Sequence, residues 1–109
     1  MFSGIWRENS KDEVRIRLTS SAELDLLRAL EYYDSVEPGL GAKLLREIKE
    51  TQKRIQLNPL AWPRLSPRTR RCRAHRFPYA LFYQVRPDEI LVLAVMDLRK
   101  DPVHWRHYI

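Results

Sequence analysis

The chain has 109 residues, 44% of them apolar, a formal net charge of +6 and one cysteine, Cys72. That length suits one domain with one core and leaves too little interior for a deep cofactor cavity as well, so neither a second domain nor a cofactor is expected. A lone cysteine closes no intramolecular disulfide, and the longest apolar run, Ile90 to Met96, has seven residues where a membrane-spanning helix needs about 20, which excludes a membrane protein. With no leader-like pattern near the N-terminus, a cytoplasmic location is expected.

Residues 1–11 combine Gly4, Asn9, Ser10 and mixed charges without a period and read as an N-terminal extension; residues 12–109 read as a single domain. Residues 13–19 alternate, with Val14, Ile16 and Leu18 on one face and Glu13, Arg15 and Arg17 on the other, as in a half-buried strand. Ser20 or Ser21 is expected to cap a first helix, whose apolar stripe of Ala22, Leu26, Ala29, Leu30 and Tyr33 is broadened by Leu27 and stops at Pro38-Gly39. Leu44, Leu45, Ile48 and Ile55 mark a second helix, and the short turn between the two predicts an antiparallel helical hairpin. Asn58-Pro59 ends it, and Pro63 and Pro67 keep the following segment extended, with Trp62 and Leu65 free to pin it to the core.

A strand is expected over residues 70–77, with small apolar Cys72 and Ala74 on one face and Arg71, Arg73 and His75 on the other. Residues 79–85 and 89–96 form a hairpin around Arg86-Pro87-Asp88-Glu89, and their nearly continuous apolar character places both centrally in a sheet. After Asp97 the chain turns polar, and Trp105 is expected to pack the tail. The order is β-α-α-β-β-β, an α+β arrangement with the helical hairpin on one face of a sheet and an open, arginine-edged face opposite.

Charge is local. Arg64, Arg68, Arg70, Arg71, Arg73 and Arg76 lie in a stretch without an acid and equal the whole net charge. Such a patch suits an acidic protein or nucleic acid; the plainer reading is an edge strand protected from aggregation by charge. His75, whose kind titrates near neutrality, suits either a general base or a surface contact. Tyr79 and Tyr83 share a side of their strand and suit either base stacking or the core. His104 and His107 have helical metal-ligand spacing without a third ligand, so no metal is expected.

Ala22-Glu23-Leu24-Asp25-Leu26 with Ala29, Tyr32 and Tyr33, then Gly39-Leu40-Gly41, Ile48, Ile55, Asn58-Pro59, Arg76-Phe77-Pro78-Tyr79, Tyr83 and Leu93-Ala94-Val95 occur in this element order. Together with Arg99-Lys100-Asp101-Pro102 and Trp105-Arg106, they make the chain resemble the ParE/RelE superfamily of toxins from type II toxin-antitoxin systems, from Val14 to Trp105. The resemblance implies a helical hairpin packed on a mainly antiparallel, twisted sheet. Its RelE-like branch consists of ribosome-dependent mRNA endoribonucleases, and its ParE-like branch inhibits DNA gyrase by binding.

Attack by a 2′-hydroxyl needs a base, a proton donor for the leaving oxygen and cations for the phosphate. The positions that the resemblance aligns with these roles hold His75 beside Arg76, Asp101 near Arg99 and Lys100, and Trp105. A carboxylate repels phosphate and an indole has no hydroxyl proton, so two of the three roles are unmatched. Phe77-Pro78-Tyr79 and the closing Arg-Lys-Asp-Pro and Trp-Arg pairs are similar to the ParE-like or plasmid-stabilisation branch. The resemblance therefore implies a toxin that inhibits growth by binding a target such as DNA gyrase, without chemistry of its own. A cognate antitoxin, acidic where it wraps the toxin, would neutralise it. Contacts to target or antitoxin are expected at Arg68, Arg70, Arg71, Arg73, His75, Arg76, Tyr79, Tyr83, Arg99, Lys100, Trp105 and Arg106. The alternatives are an endoribonuclease acting on the ribosome and mRNA through His75, Arg76 and Arg99, and an inactive homologue that still binds its antitoxin.

Overall fold

The computed structural model of the chain describes residues 14–100. The order is β1 (Ile16–Leu18), α1 (Ser20–Val36), α2 (Leu40–Leu57), β2 (Arg70–Arg73), β3 (Tyr79–Val85) and β4 (Ile90–Asp97). The strands form one sheet in the order β1-β4-β3-β2. The helical hairpin carries the chain across the sheet, so β1 runs parallel to β4, while β4-β3 and β3-β2 are antiparallel. The apolar strands β3 and β4 are central, as their composition requires.

Local chemistry sets the boundaries. Thr19 caps α1, its hydroxyl oxygen accepting from Ala22 N at 3.1 Å, and takes the place expected for Ser20 or Ser21. Thr19 is preferred because it also bonds β4: its N–H donates to Val92 O at 3.0 Å and its hydroxyl to Leu93 O at 3.3 Å. Gly39 adopts φ 91°, the left-handed conformation that turns the chain between the helices without a Cβ penalty. Gly41 N donates to Asp34 Oδ1 at 2.8 Å, and a Cβ on Gly41 would lie 2.8 Å from Leu30 O, so the two helix backbones meet there.

The main core lies between the helices and the sheet. Ala22, Ala29 and Tyr33 of α1 and Leu44, Ile48 and Ile55 of α2 pack on Cys72, Leu81, Tyr83, Ile90, Val92 and Val95. Leu27 is 56% exposed and does not broaden the stripe, because α1 packs on α2 and β4 and turns that position to solvent. In β4, an irregularity where Phe82 pairs with Ala94 and Tyr83 with Val92 leaves Leu93 unpaired and shifts the alternation. Val92 and Val95 thus both face the helices, while Ala94 and Met96 face the other way.

That opposite face is not open at its centre. Ala80, Phe82 and Ala94 are fully buried there, with Leu65 and Leu98 packed against them. The segment after α2 folds across the β2 edge and brings Leu65 over one side while Trp62 joins the main core. Strand β2 ends at Arg73 rather than continuing to residue 77: Ala74 N bonds Tyr79 O at 2.9 Å and Arg76 has φ 70°, so residues 75–78 form a hairpin loop. His75 therefore sits in a turn, not on the basic face of a strand. Strand β1 is likewise shorter than the alternation of residues 13–19 implies, because only three residues pair with β4 before the chain turns into α1.

The close helix contact is the most sensitive point of this architecture. Gly41→Ala is expected to destabilise the domain by about 1–3 kcal/mol through overpacking, measured as a lowered urea midpoint with an unchanged m-value.

Candidate functional site

Because β2 is an edge strand, only one side of its backbone pairs with β3. Its even residues bond β3, as Ala74 does with Tyr79, and its odd residues point outward. Arg71 N donates outward to Pro63 O at 2.9 Å, and Arg64 bridges to Arg70, so the segment before β2 partly covers the edge. Arg70 fastens it: Nη1 donates to Leu60 O at 3.1 Å and to Trp62 O at 2.8 Å. Tyr83 adds a 2.6 Å bond from its hydroxyl to Pro59 O.

Beyond this cover a groove of about 590 Å³ opens between α2 and β2, lined by Arg54, Trp62, Pro63, Arg71, Arg73, Ala74, His75 and Arg76. Arg54 reaches it from α2. Its Nη2 donates to Thr51 Oγ1 and to Arg73 O, both at 3.1 Å, and its Nη1 to Cys72 Sγ at 3.6 Å, with the guanidinium 5.7 Å from the Trp62 ring centre. Arg54 Nε–H and Trp62 Nε1–H are shut off from solvent and have no acceptor among the described residues. An unsatisfied buried donor costs about 1–3 kcal/mol. Burial pushes the Cys72 thiol up, against the lowering effect of Arg54, so it stays protonated and inert.

A second depression, about 480 Å³, lies where α1 crosses the end of β4, lined by Asp25, Arg28, Tyr32, Tyr79, Asp97, Arg99 and Lys100 among others. Its geometry follows from the brevity of β1, which leaves the outer edge of β4 without a strand partner after Val92. Asp25 takes over, its Oδ2 accepting from Val95 N at 3.1 Å. Burial raises the Asp25 carboxyl, with the Val95 bond, Arg28 and Lys100 pulling the other way. Nearby, Arg99 grips Asp97 with both arms, Nε to Oδ1 at 3.0 Å and Nη2 to Oδ2 at 2.9 Å, while its guanidinium lies 5.9 Å from the ring centres of Tyr32 and Tyr33. Burial of Asp97 is outweighed by these bonds, which hold its carboxyl below the usual range.

The expected contact residues thus separate. Arg71, Arg73, His75 and Arg76 come together at the groove, where the nearest carboxylate to Arg76 is Glu47 at 3.7 Å, a loose pair on a side chain that is 81% exposed. Arg68 is exposed on the preceding loop. Arg70 is spent on loop carbonyls and Arg99 on Asp97, while Lys100 remains exposed beside the second depression. Tyr83 is fully enclosed and Tyr79 nearly so; burial pushes the Tyr79 phenol up to about 12 and raises that of Tyr83 as well. Neither presents a ring for stacking. Trp105 and Arg106, with Asp101, His104 and His107, lie outside the described residues.

Sequence reasoning assigns Arg54 no role, and it names Asp25 only within the run that carries the family resemblance, without its bond to β4. Arg54 follows Thr51 by three positions and precedes Ile55, so it flanks the buried stripe of α2, the one signal that could have marked it. Nothing comparable marks Asp25, which depends on how far β1 covers β4.

The Asp25 bond gives a sign-specific test. Asp25→Ala is expected to cost about 1–3 kcal/mol by orphaning Val95 N–H, whereas Asp25→Asn keeps an acceptor and is tolerated at neutral pH. A raised carboxyl binds its proton more tightly in the folded state, so the Asp25 contribution worsens as pH rises out of the ordinary carboxylate range. Asp97 and Glu89, both lowered, act in the opposite sense and lose their contribution as pH falls through their depressed values. The wild-type minus Asp25→Asn stability difference, followed by urea unfolding from pH 7 to pH 4, should therefore shift in favour of wild type on acidification.

The comparisons bear on what this domain is. No curated protein sequence matches the chain. Among solved structures, one titled "Chromosomal ParDE TA system from P. aeruginosa" is similar at a TM-score of 0.71 and 22% identity, over 80% of this chain and 98% of that one, a likeness of fold. The family described as "ParE toxin of type II toxin-antitoxin system, parDE" matches residues 16–102, which span all six elements. The chain belongs to the ParE toxin family of type II toxin-antitoxin systems.

Proposed function

We propose that this toxin acts by binding, with DNA gyrase as its cellular target, and that a co-expressed antitoxin, acidic in its toxin-contacting segment, neutralises it at the β2 edge. The observation that carries this reading is the distribution of uncommitted charge. Arg71, Arg73 and Arg76 project around one groove beside an edge strand, whereas Arg70 and Arg99 are held by internal acceptors. A concentrated positive edge steers an acidic segment and offers backbone groups for it to pair with.

The ribonuclease alternative requires a base, a proton donor and phosphate-binding cations at one point. Within the described residues, Arg99 is more than 20 positions away in sequence from His75 and Arg76, lines the other depression and is neutralised by Asp97. These placements favour binding over cleavage.

Induced expression, with replication and protein synthesis followed in parallel, tests the reading. Replication should stall and a DNA-damage response should rise before translation falls; an immediate stop in translation would favour the ribonuclease, and unchanged growth an inactive homologue. The triple variant Arg71→Glu/Arg73→Glu/Arg76→Glu should lose growth arrest or antitoxin binding, and retention of both would sink the assignment of this edge.

A further inference from the structure

We infer that the depression between α1 and the end of β4 is a guanine pocket that takes a 5′-phosphorylated guanine nucleotide, on the sheet edge opposite the β2 groove. It does not rest on the toxin reading. The backbone groups along that edge are the first support. Residues 94 and 96 turn their peptide groups toward β3, so those of Val95 and Asp97 point outward, as the Asp25 bond to Val95 N shows. Val95, Met96 and Asp97 line the depression in succession, which a strand edge does and a single strand face does not. Leu93 O is taken by the Thr19 hydroxyl, Val95 N–H by Asp25 and Asp97 O by Lys100 N at 3.2 Å. Val95 O and Asp97 N–H have no hydrogen-bond partner among the described residues, a state in which strand groups are seldom left. Asp25 uses only Oδ2 on β4, and its Oδ1 makes no hydrogen bond among the described residues.

Along the edge the wall therefore presents, in order, a carboxylate oxygen, a carbonyl oxygen and an N–H. Guanine presents the complement in the same order: its 2-amino group, N1–H and O6. Adenine and cytosine place an acceptor in the middle, against Val95 O, and uracil places one against Asp25. An extended peptide fits less well, because Asp25 and the Lys100 N–H close the edge on either side and leave it two backbone bonds. Tyr32, 50% exposed, offers a ring face to a base. Arg28 and Lys100 line the same depression, make no ion pair among the described residues and suit a phosphate, while Arg99 neutralises Asp97. The volume of about 480 Å³ falls within the range of about 300–1,000 Å³ typical of small-ligand sites.

Calorimetry on the full chain, with backbone amide shifts of the ¹⁵N-labelled protein, tests the pocket. Guanosine 5′-monophosphate should bind saturably and move the Asp97 amide signal. Inosine 5′-monophosphate, which lacks only the 2-amino group, should bind about tenfold more weakly, as expected for a lost hydrogen bond to a carboxylate, and adenosine and uridine monophosphates should not saturate. Asp25→Asn keeps an acceptor for Val95 N–H, so with its fold verified by urea unfolding it should bind the guanosine and inosine nucleotides equally. Arg28→Ala should weaken guanosine monophosphate severalfold and leave unphosphorylated guanosine unchanged. Equal affinity for guanosine and adenosine nucleotides, guanosine monophosphate binding that leaves the Asp97 amide still, or a preference over inosine that survives Asp25→Asn would each overturn the pocket. A stronger Asp97 shift from capped hexaglutamate would overturn it too, in favour of a strand-pairing edge. Guanine-specific binding that is tighter still for a guanine-containing single strand keeps the pocket and identifies nucleic acid as the source of the base.

Discussion

The attachment of the 58–69 segment to the edge of β2 is the constraint on which both the core and the site depend. Arg70 donates to two of its carbonyls, Tyr83 to a third, and Arg71 N–H to a fourth. A guanidinium suits this position because its several donors satisfy carbonyls that a prolyl segment, short of N–H groups, does not pair within itself. Once the segment is held, Trp62 turns into the main core and Leu65 covers Ala80, Phe82 and Ala94 on the far face. The same attachment raises one wall of the groove and stops short of Arg73, leaving that end of the edge exposed.

Basic residues in this chain consequently have unequal meanings. A guanidinium that faces internal carbonyls or a carboxylate contributes to architecture and presents little free charge, as Arg70, Arg99 and Arg54 illustrate in three different settings. Arg71, Arg73 and Arg76 remain around the groove, Arg76 in a loose pair with Glu47 at 3.7 Å. The net charge of +6 thus overstates the number of cations gathered at any one surface, and burial decides which of them a partner meets.

The two sheet edges solve different problems. At β2 a loop supplies the missing backbone partners; at β4, where β1 pairs over only three residues, α1 and its N-cap supply them through Asp25 and Thr19. The second solution places a carboxylate in a half-buried position and raises its affinity for a proton. The unpaired Leu93 belongs to the same region, where it reverses the alternation so that Val95 reaches the helices. Edge coverage, more than helix packing, therefore shapes both depressions.

Alternation, helical spacing and the Pro-Gly and Asn-Pro breaks determined by themselves the element order, the central place of β3 and β4 and the helical hairpin, because these are properties of neighbouring residues. The concentration of arginine before β3 was equally legible, and so was the family. Tertiary structure alone decided that Thr19 caps α1, that β2 stops at Arg73, that Leu65 and Leu98 cover the far face and that Tyr83 is enclosed. It also decided which arginines are committed and brought Arg54 from α2 to the side of Trp62. The reason is physical: a capping bond, an ion pair or a buried donor depends on which atoms lie within about 3 Å, and residues that meet there are separated by as many as 74 positions in the chain.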